Sequence, residues 1–283
     1  MNRVTFLALP LLVLSSFALA TVPSDAAQPL KYQTGTLPLL SGKAALTTGQ
    51  TLRYLDAANA RRVIVDIWGN PPQAASDVLG MIVPADLEPD GEDGWGVVVT
   101  ENTDGHISDD DAAKIDYNEL LSQMQQESRD SNAERVKAGY EPVKLIGWAE
   151  PPSYDAASHK LIWARELAFG KSDDHTLNYA VRVLGRDRVL ELNAVGGLSQ
   201  LPQIKAGMRQ VLSQVSFAPG HTYAEYRAGS DKLANYGVAA LVGGLAAKKL
   251  GLLAGGLLLL KKGWVLLLAA FAGLRRLFGR RSA

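Results

Sequence analysis

From Gly237 to Leu274 the chain is almost entirely Gly, Ala, Val and Leu, broken mainly by the pairs Lys248-Lys249 and Lys261-Lys262. So long an apolar run must be covered by lipid or by protein, and it divides the chain into a part that folds and a part that anchors. The run leads into Arg275-Arg276-Leu277-Phe278-Gly279-Arg280-Arg281, a basic cluster of the kind retained on the cytoplasmic side. Leu250 to Leu274 is long enough for a single crossing, with Trp264 and Phe271 as aromatic contacts. A lysine at the bilayer centre costs about 2.5–3.5 kcal/mol. The lysine pairs therefore leave two other arrangements open: a hairpin split at Lys261-Lys262, or a segment lying in the interface. Gly243, Ala247, Gly251 and Gly255 recur every fourth residue, a small-residue stripe that suits close helix packing or self-association. Residues 231–283 are thus expected to form a membrane anchor, a transmembrane helical segment with a basic cytoplasmic tail.

The other end is also unlike the middle. Arg3, the apolar run Phe6 to Leu14 and Ala18-Leu19-Ala20 follow the charged, apolar and small-residue order of an export signal. Residues 1–20 are expected to be a signal peptide cut after Ala20. Export permits disulfides, yet the chain has no cysteine, so stability must come from a packed core. Thiol nucleophiles and thiolate metal sites are excluded.

The formal net charge of zero hides a division. Residues 21–230 carry 28 acids against 19 bases, and from Asp231 onward there are nine bases against one acid. An acidic outer domain argues against nucleic-acid binding, which needs a basic surface. The densest acidic stretch, residues 84–113, has ten acids and no base. Its spacing does not fit a twelve-residue calcium loop; solvated loop acids and helix-start acids account for it.

Within residues 21–230 the periodicity predicts an α+β domain, a mainly antiparallel sheet with packed helices. The lead-in to residue 50 holds short strands, and Thr51–Leu55 is another. Asp56 is a helix N-cap, followed by Ala60, Val63, Ile64, Ile67 and Trp68 on one face and by the stop signal Gly69-Asn70-Pro71-Pro72. Val78–Val83 and Gly94–Thr100 read as buried strands. Asp116 and Glu119 open a long helix that ends at Gly139. Four strand-like runs follow, Val143–Ala149, Lys160–Ala168, Thr176–Leu184 and Arg188–Val195, with Pro151-Pro152 as one of the separating turns. Close spacing implies antiparallel pairing. Ser199 is expected to cap a final helix whose face carries Leu201, Ile204, Met208, Val211, Leu212 and Val215. Phe217 to Pro219 ends the domain, and Tyr223, Tyr226 and Tyr236 belong to a lead toward the membrane interface.

No catalytic constellation emerges, so no catalytic, cofactor or metal residue is nominated. His106, His159, His175 and His221 fall in expected loops or turns, and no two share a helix face at metal-ligand spacing. No G-x-S-x-G is present, and Leu161 stands where Ser158 would need a lysine partner. Gly94-Trp95-Gly96 and Gly196-Gly197 lack phosphate-loop spacing and read as close backbone approaches. Trp148 and Trp163, with Trp95, could line an apolar pocket, although core packing is the better explanation of them.

The segments Trp68-Gly69-Asn70-Pro71-Pro72, Gly94-Trp95-Gly96-Val97-Val98, Gly147-Trp148 with Pro151, Pro152 and Tyr154, Leu184-Gly185-Arg186, Leu192-Asn193-Ala194-Val195, Phe217 with Pro219, Gly220 and Tyr223, and the approach Gly229, Asp231, Lys232, Tyr236, Gly237 together resemble domain-of-unknown-function family 2167 of membrane-anchored bacterial proteins. The resemblance implies a periplasm-facing domain on a bacterial inner-membrane anchor and supplies no activity; the basic cluster places the C-terminus in the cytoplasm. The order of four strands and a helix is also weakly similar to the photosystem-associated PsbP-like fold, an analogy of fold alone. Two readings of function stay open. One is a non-catalytic interaction or scaffold module in an envelope complex. The other is an envelope enzyme or small-ligand carrier with a pocket near Trp148 and Trp163.

Overall fold

The computed structural model describes residues 29–91 and 93–243. The signal-peptide expectation for 1–20 and most of the anchor expectation, 244–283, fall outside these residues. Among the described residues no helix is long and apolar enough to cross a membrane.

The described chain is α+β. Its strands are β1 (Tyr32–Gln33), β2 (Thr36–Leu39), β3 (Ala44–Thr47), β4 (Leu52–Asp56), β5 (Gly80–Pro84), β6 (Gly96–Asn102), β7 (His106–Ser108), β8 (Val143–Asp155), β9 (Lys160–Phe169), β10 (Thr176–Leu184), β11 (Val189–Gly197), β12 (Val215–Phe217) and β13 (Leu233–Gly237). Its helices are α1 (Ala57–Arg62), continued by a π-helical turn Val63–Ile67, α2 (Tyr117–Lys137), α3 (Leu201–Gln214) and α4 (Val238–Gly243). Eight strands form one antiparallel sheet in the order β1-β4-β5-β6-β11-β10-β9-β8. A small sheet, β12-β3-β2, lies beside it, and β13 pairs with β7 in parallel.

The central strands are covered on both faces, so they read as nearly continuous buried runs rather than as alternation; every residue of β10 is buried. One face packs Leu177, Tyr179, Val181, Leu192 and Ala194 against Ile204, Met208 and Val211 of α3 and against the small sheet. The other face has two apolar patches. One lies under α1, around Leu55, Val63, Trp68, Met81 and Val98. The second lies under α2 and α4, around Leu120, Met124, Leu161, Trp163, Leu184 and Val238.

The local signals explain the helices. Asp56 accepts the backbone N–H of Asn59 and starts α1. The end of that helix is wound wider: Trp68 N–H bonds the Val63 carbonyl at 2.8 Å, and Gly69 takes φ 69°. Asp116 accepts from the N–H groups of Asn118 and Glu119 and starts α2, which stops before Gly139 at φ 84°.

Several expectations are corrected. Pro151-Pro152 does not end a strand. β8 runs through both prolines, because it is the sheet edge and its outward N–H positions have no ladder to serve; register shifts between Trp148 and Glu150 and between Glu150 and Ser153 absorb the bend. Ser199 is not a helix cap: it lies in a 3₁₀ turn, Leu198–Gln200, closed by the Gln200 side chain accepting the Gly197 N–H at 2.7 Å. The chain does not leave the fold at Pro219 either. Residues 220–243 return as a strap across the domain through β13 and α4, and Ala234, Val238 and Val242 are buried in the α2 patch.

Candidate functional site

The face of the sheet under α2 and α4 is not wholly apolar. Strand pleating turns Trp163 and Arg165 of β9, Asn178, Ala180 and Arg182 of β10, and Glu191 and Asn193 of β11 inward together. Arg165, Arg182, Asn178 and Asn193 are buried, and Trp163 is fully buried. Arg182 sits over the Trp163 indole, 5.0 Å from the ring centroid. It donates to Asn193 Oδ1 at 3.2 Å and to the Val181 carbonyl at 3.1 Å, and its Nε stands 3.3 Å from Glu191 Oε1. Glu191 in turn accepts the Thr100 hydroxyl at 3.0 Å. Arg182 is therefore compensated. Arg165 is not: Asn178 Oδ1, at 2.9 Å, is its hydrogen-bonding partner, and no carboxylate pairs with it among the described residues. Its Nε and the Trp163 Nε1 are buried without an acceptor among the described residues. Burial, with the nearby Arg182 charge, pushes the Arg165 guanidinium down to about 9, which still leaves it charged at neutral pH.

This geometry bears on the expected Trp pocket. Trp148 is half-buried and gives its indole N–H to the Tyr117 carbonyl at 3.3 Å. Trp163 is packed beneath Arg182. Trp95 cannot join them, because it lies on the opposite face, against Gly207 of α3. What adjoins Trp163 is thus a charged, donor-rich strip.

A second polar cluster lies where the strap crosses β7 and the β8–β9 turn. Asp109 accepts the Tyr154 hydroxyl at 2.6 Å and lies 3.7 Å from His159. Tyr223 stacks on His159 (4.0 Å between centroids) and meets His106 on its other side (4.4 Å), and Tyr226 stacks on His106 at 3.9 Å. His106 Nδ1 donates to the Arg186 carbonyl at 3.1 Å, so its proton is on Nδ1 in the neutral ring. Burial lowers its affinity for a second proton. His159 holds φ 49°, uncommon for a non-glycine residue. Burial first, then the Asp109 carboxylate, raises the pKa of Tyr154 and of Tyr223, whereas hydrogen bonding from the tyrosine hydroxyls holds Asp109 below its ordinary value despite burial. The hydroxyls are therefore committed donors, not activated nucleophiles.

The cluster corrects two expectations. His106 lies in a strand and is buried, not in a loop or turn; His159 does lie in the β8–β9 turn, but half-buried in a ring stack. The three tyrosines are not interface anchors either, because Tyr223 and Tyr226 stack on histidines and Tyr236 donates to Asp104. His175 does lie outside a regular element, paired with Glu166. The contacts of Asp109, His106, Tyr223, Tyr226 and Tyr236 join residues more than forty positions apart, which no local pattern in the sequence records.

The acids of 84–113 are also largely engaged in the fold. Glu88 pairs with Arg53, Glu101 with Arg188, and Asp111 accepts the N–H groups of Val238 and Ala239 at the start of α4. Among the described residues no group of three or more His, Asp or Glu is placed to hold a metal ion.

Solved structures similar to the chain include cyanobacterial PsbP (CyanoP) from Synechocystis, at 9% identity over 69% of this chain and 97% of that one, with a TM-score of 0.37. The Ran-binding protein Mog1p of Saccharomyces cerevisiae is similar at 10% identity, over 70% of this chain and 100% of that one, with a TM-score of 0.33. No curated protein matches. The model of one family, "Protein of unknown function (DUF2167)", matches residues 31–272, most of the chain, and the chain belongs to that family.

Proposed function

We propose that the protein is a non-catalytic interaction module of the bacterial envelope, exported by residues 1–20 and held at the inner membrane by the apolar segment after Gly243. In this reading the acidic domain faces the periplasm and engages a protein partner, and the basic tail lies in the cytoplasm.

The observation that carries it is the strap. Residues 220–243 are fastened to the domain at four places: Arg186 pairs bidentately with Asp231 at 2.7 and 2.8 Å, Tyr236 donates to Asp104, Asp111 holds the first N–H groups of α4, and Gly243 lies so close to Leu120 that an added Cβ would stand 2.4 Å from Cδ1. A flexible tether would need none of these. A fastened one transmits a fixed orientation from an anchor to the domain, which suits a scaffold. The committed hydroxyls around Asp109 support the non-catalytic part of the reading. Gly243 is taken up by Leu120, so any packing of the small-residue stripe against another helix falls to Ala247, Gly251 and Gly255.

The test is co-purification from native membranes, comparing the full chain with a soluble version cut after Gly243. A stoichiometric partner recovered with both supports the module and assigns the contact to the outer domain. A partner found with the full chain alone moves the contact to the membrane segment. Full-length protein in the soluble fraction, or substrate turnover that one polar substitution abolishes, defeats the reading. A ligand-carrying role is favoured by one observation, the unpaired charge of Arg165.

A further inference from the structure

We propose that the polar strip of the sheet holds a small oxyanion, a carboxylate or a phosphate group, between Arg165 and Arg182, with the Trp163 indole N–H as a third donor. The proposal stands independently of the membrane reading.

Charge makes the case first. The strip has two guanidinium groups and one carboxylate, Glu191, and that carboxylate already serves Arg182 and Thr100. Arg165 is 1% exposed and has a neutral amide as its hydrogen-bonding partner. An unpaired buried charge is strongly destabilising, and a second like charge nearby adds to it. Removing such a charge is easy for a sequence, since a methionine fills the same volume. Keeping two arginines on adjacent strands needs a compensating group.

The donors then specify what that group is. Arg165 Nε and Trp163 Nε1 are fully buried N–H groups with no acceptor among the described residues, on one face and two positions apart on β9. A buried donor without an acceptor forfeits the hydrogen bond it made to water in the unfolded chain, and that loss is not repaid. A ligand with several oxygens satisfies both, and the planar guanidinium fork matches the geometry of a carboxylate or phosphate, where a lysine would not. The strip is also held ready: Asn178 fixes Arg165, and Asn193 fixes Arg182. Between the two arginines on this face lie Ala180 on β10 and, opposite it on β9, Trp163, so the β10 side contributes only a methyl group and the β9 side the indole whose N–H is the third donor. The chain's own continuation cannot supply the charge through a side chain, because residues 244–283 contain no Asp or Glu.

The test uses the full-length protein in detergent. Its thermal midpoint is followed against inorganic phosphate and against succinate, each compared with sodium chloride at equal ionic strength, and the same preparation is weighed by native mass spectrometry. The expected result is a saturable rise of several degrees with one of the two anions, which also tells phosphate from carboxylate. A mass excess lost on unfolding supports the site equally and accounts for a flat titration. Arg165→Met should weaken the apparent affinity at least tenfold, or remove the mass excess, and Trp163→Phe should weaken it several-fold. Arg209→Met, which removes an exposed charge on α3, should change nothing. The proposal is overturned if the wild-type protein shows neither a specific rise nor a mass excess, or if folded Arg165→Met responds as wild type does. Arg165→Lys provides a second variant that keeps the charge but loses the fork; an undiminished response there also overturns it.

Discussion

Gly207 lies in the middle of α3, where alanine would ordinarily favour the helix by about 1 kcal/mol. Here the neighbouring ring reverses the sign. A Cβ at Gly207 would stand 2.4 Å from Cη2 of Trp95, and Trp95 is 2% exposed with packed neighbours on every side. Gly207→Ala should therefore destabilise by about 1–3 kcal/mol, the usual cost of overpacking. Urea unfolding measures it; a higher midpoint would mean that Trp95 does not pack there. The periodicity of α3 showed which residues face the core, but nothing in it marks a glycine on that face as the seat of a tryptophan more than a hundred residues away. The same holds for Arg165. Its alternation within β9 is legible, and that reading makes it an inward residue, yet inward arginines are rare enough that sequence reasoning passed over it in favour of Trp148 and Trp163.

At the scale of elements, α1 and α2 were legible because their caps are local. Asp56, Gly69, Asp116 and Gly139 each act within a few residues of where they stand. The strap was not legible, because its fasteners lie on distant segments. Asp111→Ala removes the cap of α4 and should cost about 1 kcal/mol. Hydrogen exchange should locate the loss, with faster exchange at residues 233–243 and none at β10. A uniform change across the domain would show that Asp111 acts elsewhere. Cutting the chain after Ser230 is a stronger test. It removes the Arg186–Asp231 pair and uncovers the α2 patch by taking away Ala234, Val238 and Val242. A version ending at 230 should unfold at markedly lower urea concentration than one ending at 243, and equal midpoints would mean that the strap is dispensable.

At the scale of the molecule, the ionisable groups point to acid lability. Hydrogen bonds from Arg188, then the Lys43 ammonium, draw Asp187 down to about 2, and bonds from Thr222 and Gly220 draw Glu225 from its ordinary 4.5 to about 2. Asp231 is held well below the usual carboxylate range by Arg186. A carboxylate with a depressed folded value contributes stability above its unfolded value and loses it as pH falls through the folded one. His106 acts in the same direction, since burial lowers its value from 6.5 and the unfolded state takes up the proton first. Stability should therefore begin to fall below about pH 6.5 and fall further between about 4.5 and 2. In His106→Phe the first part of that loss should be absent, while the second remains. Asp231 fastens the strap to Arg186 and Glu225 ties its first turn together, so acid should loosen residues 220–237 before it opens the sheet, which exchange measurements across a pH series can show.

The sequence by itself determined the α+β class, the two main helices with their ends, most of the central strands and the family, because period, capping and turn chemistry act over a few residues. It also carried the charge division between the middle of the chain and its tail. Only the tertiary structure decided that β8 passes through two prolines at a free edge, that the chain returns past Pro219 to fasten a strap, and that two arginines share one buried face. Each of these depends on which strand lies beside which. That order follows from how the whole core packs, and a free edge, a returning segment or an unpaired charge has meaning only once the neighbouring strands are in place.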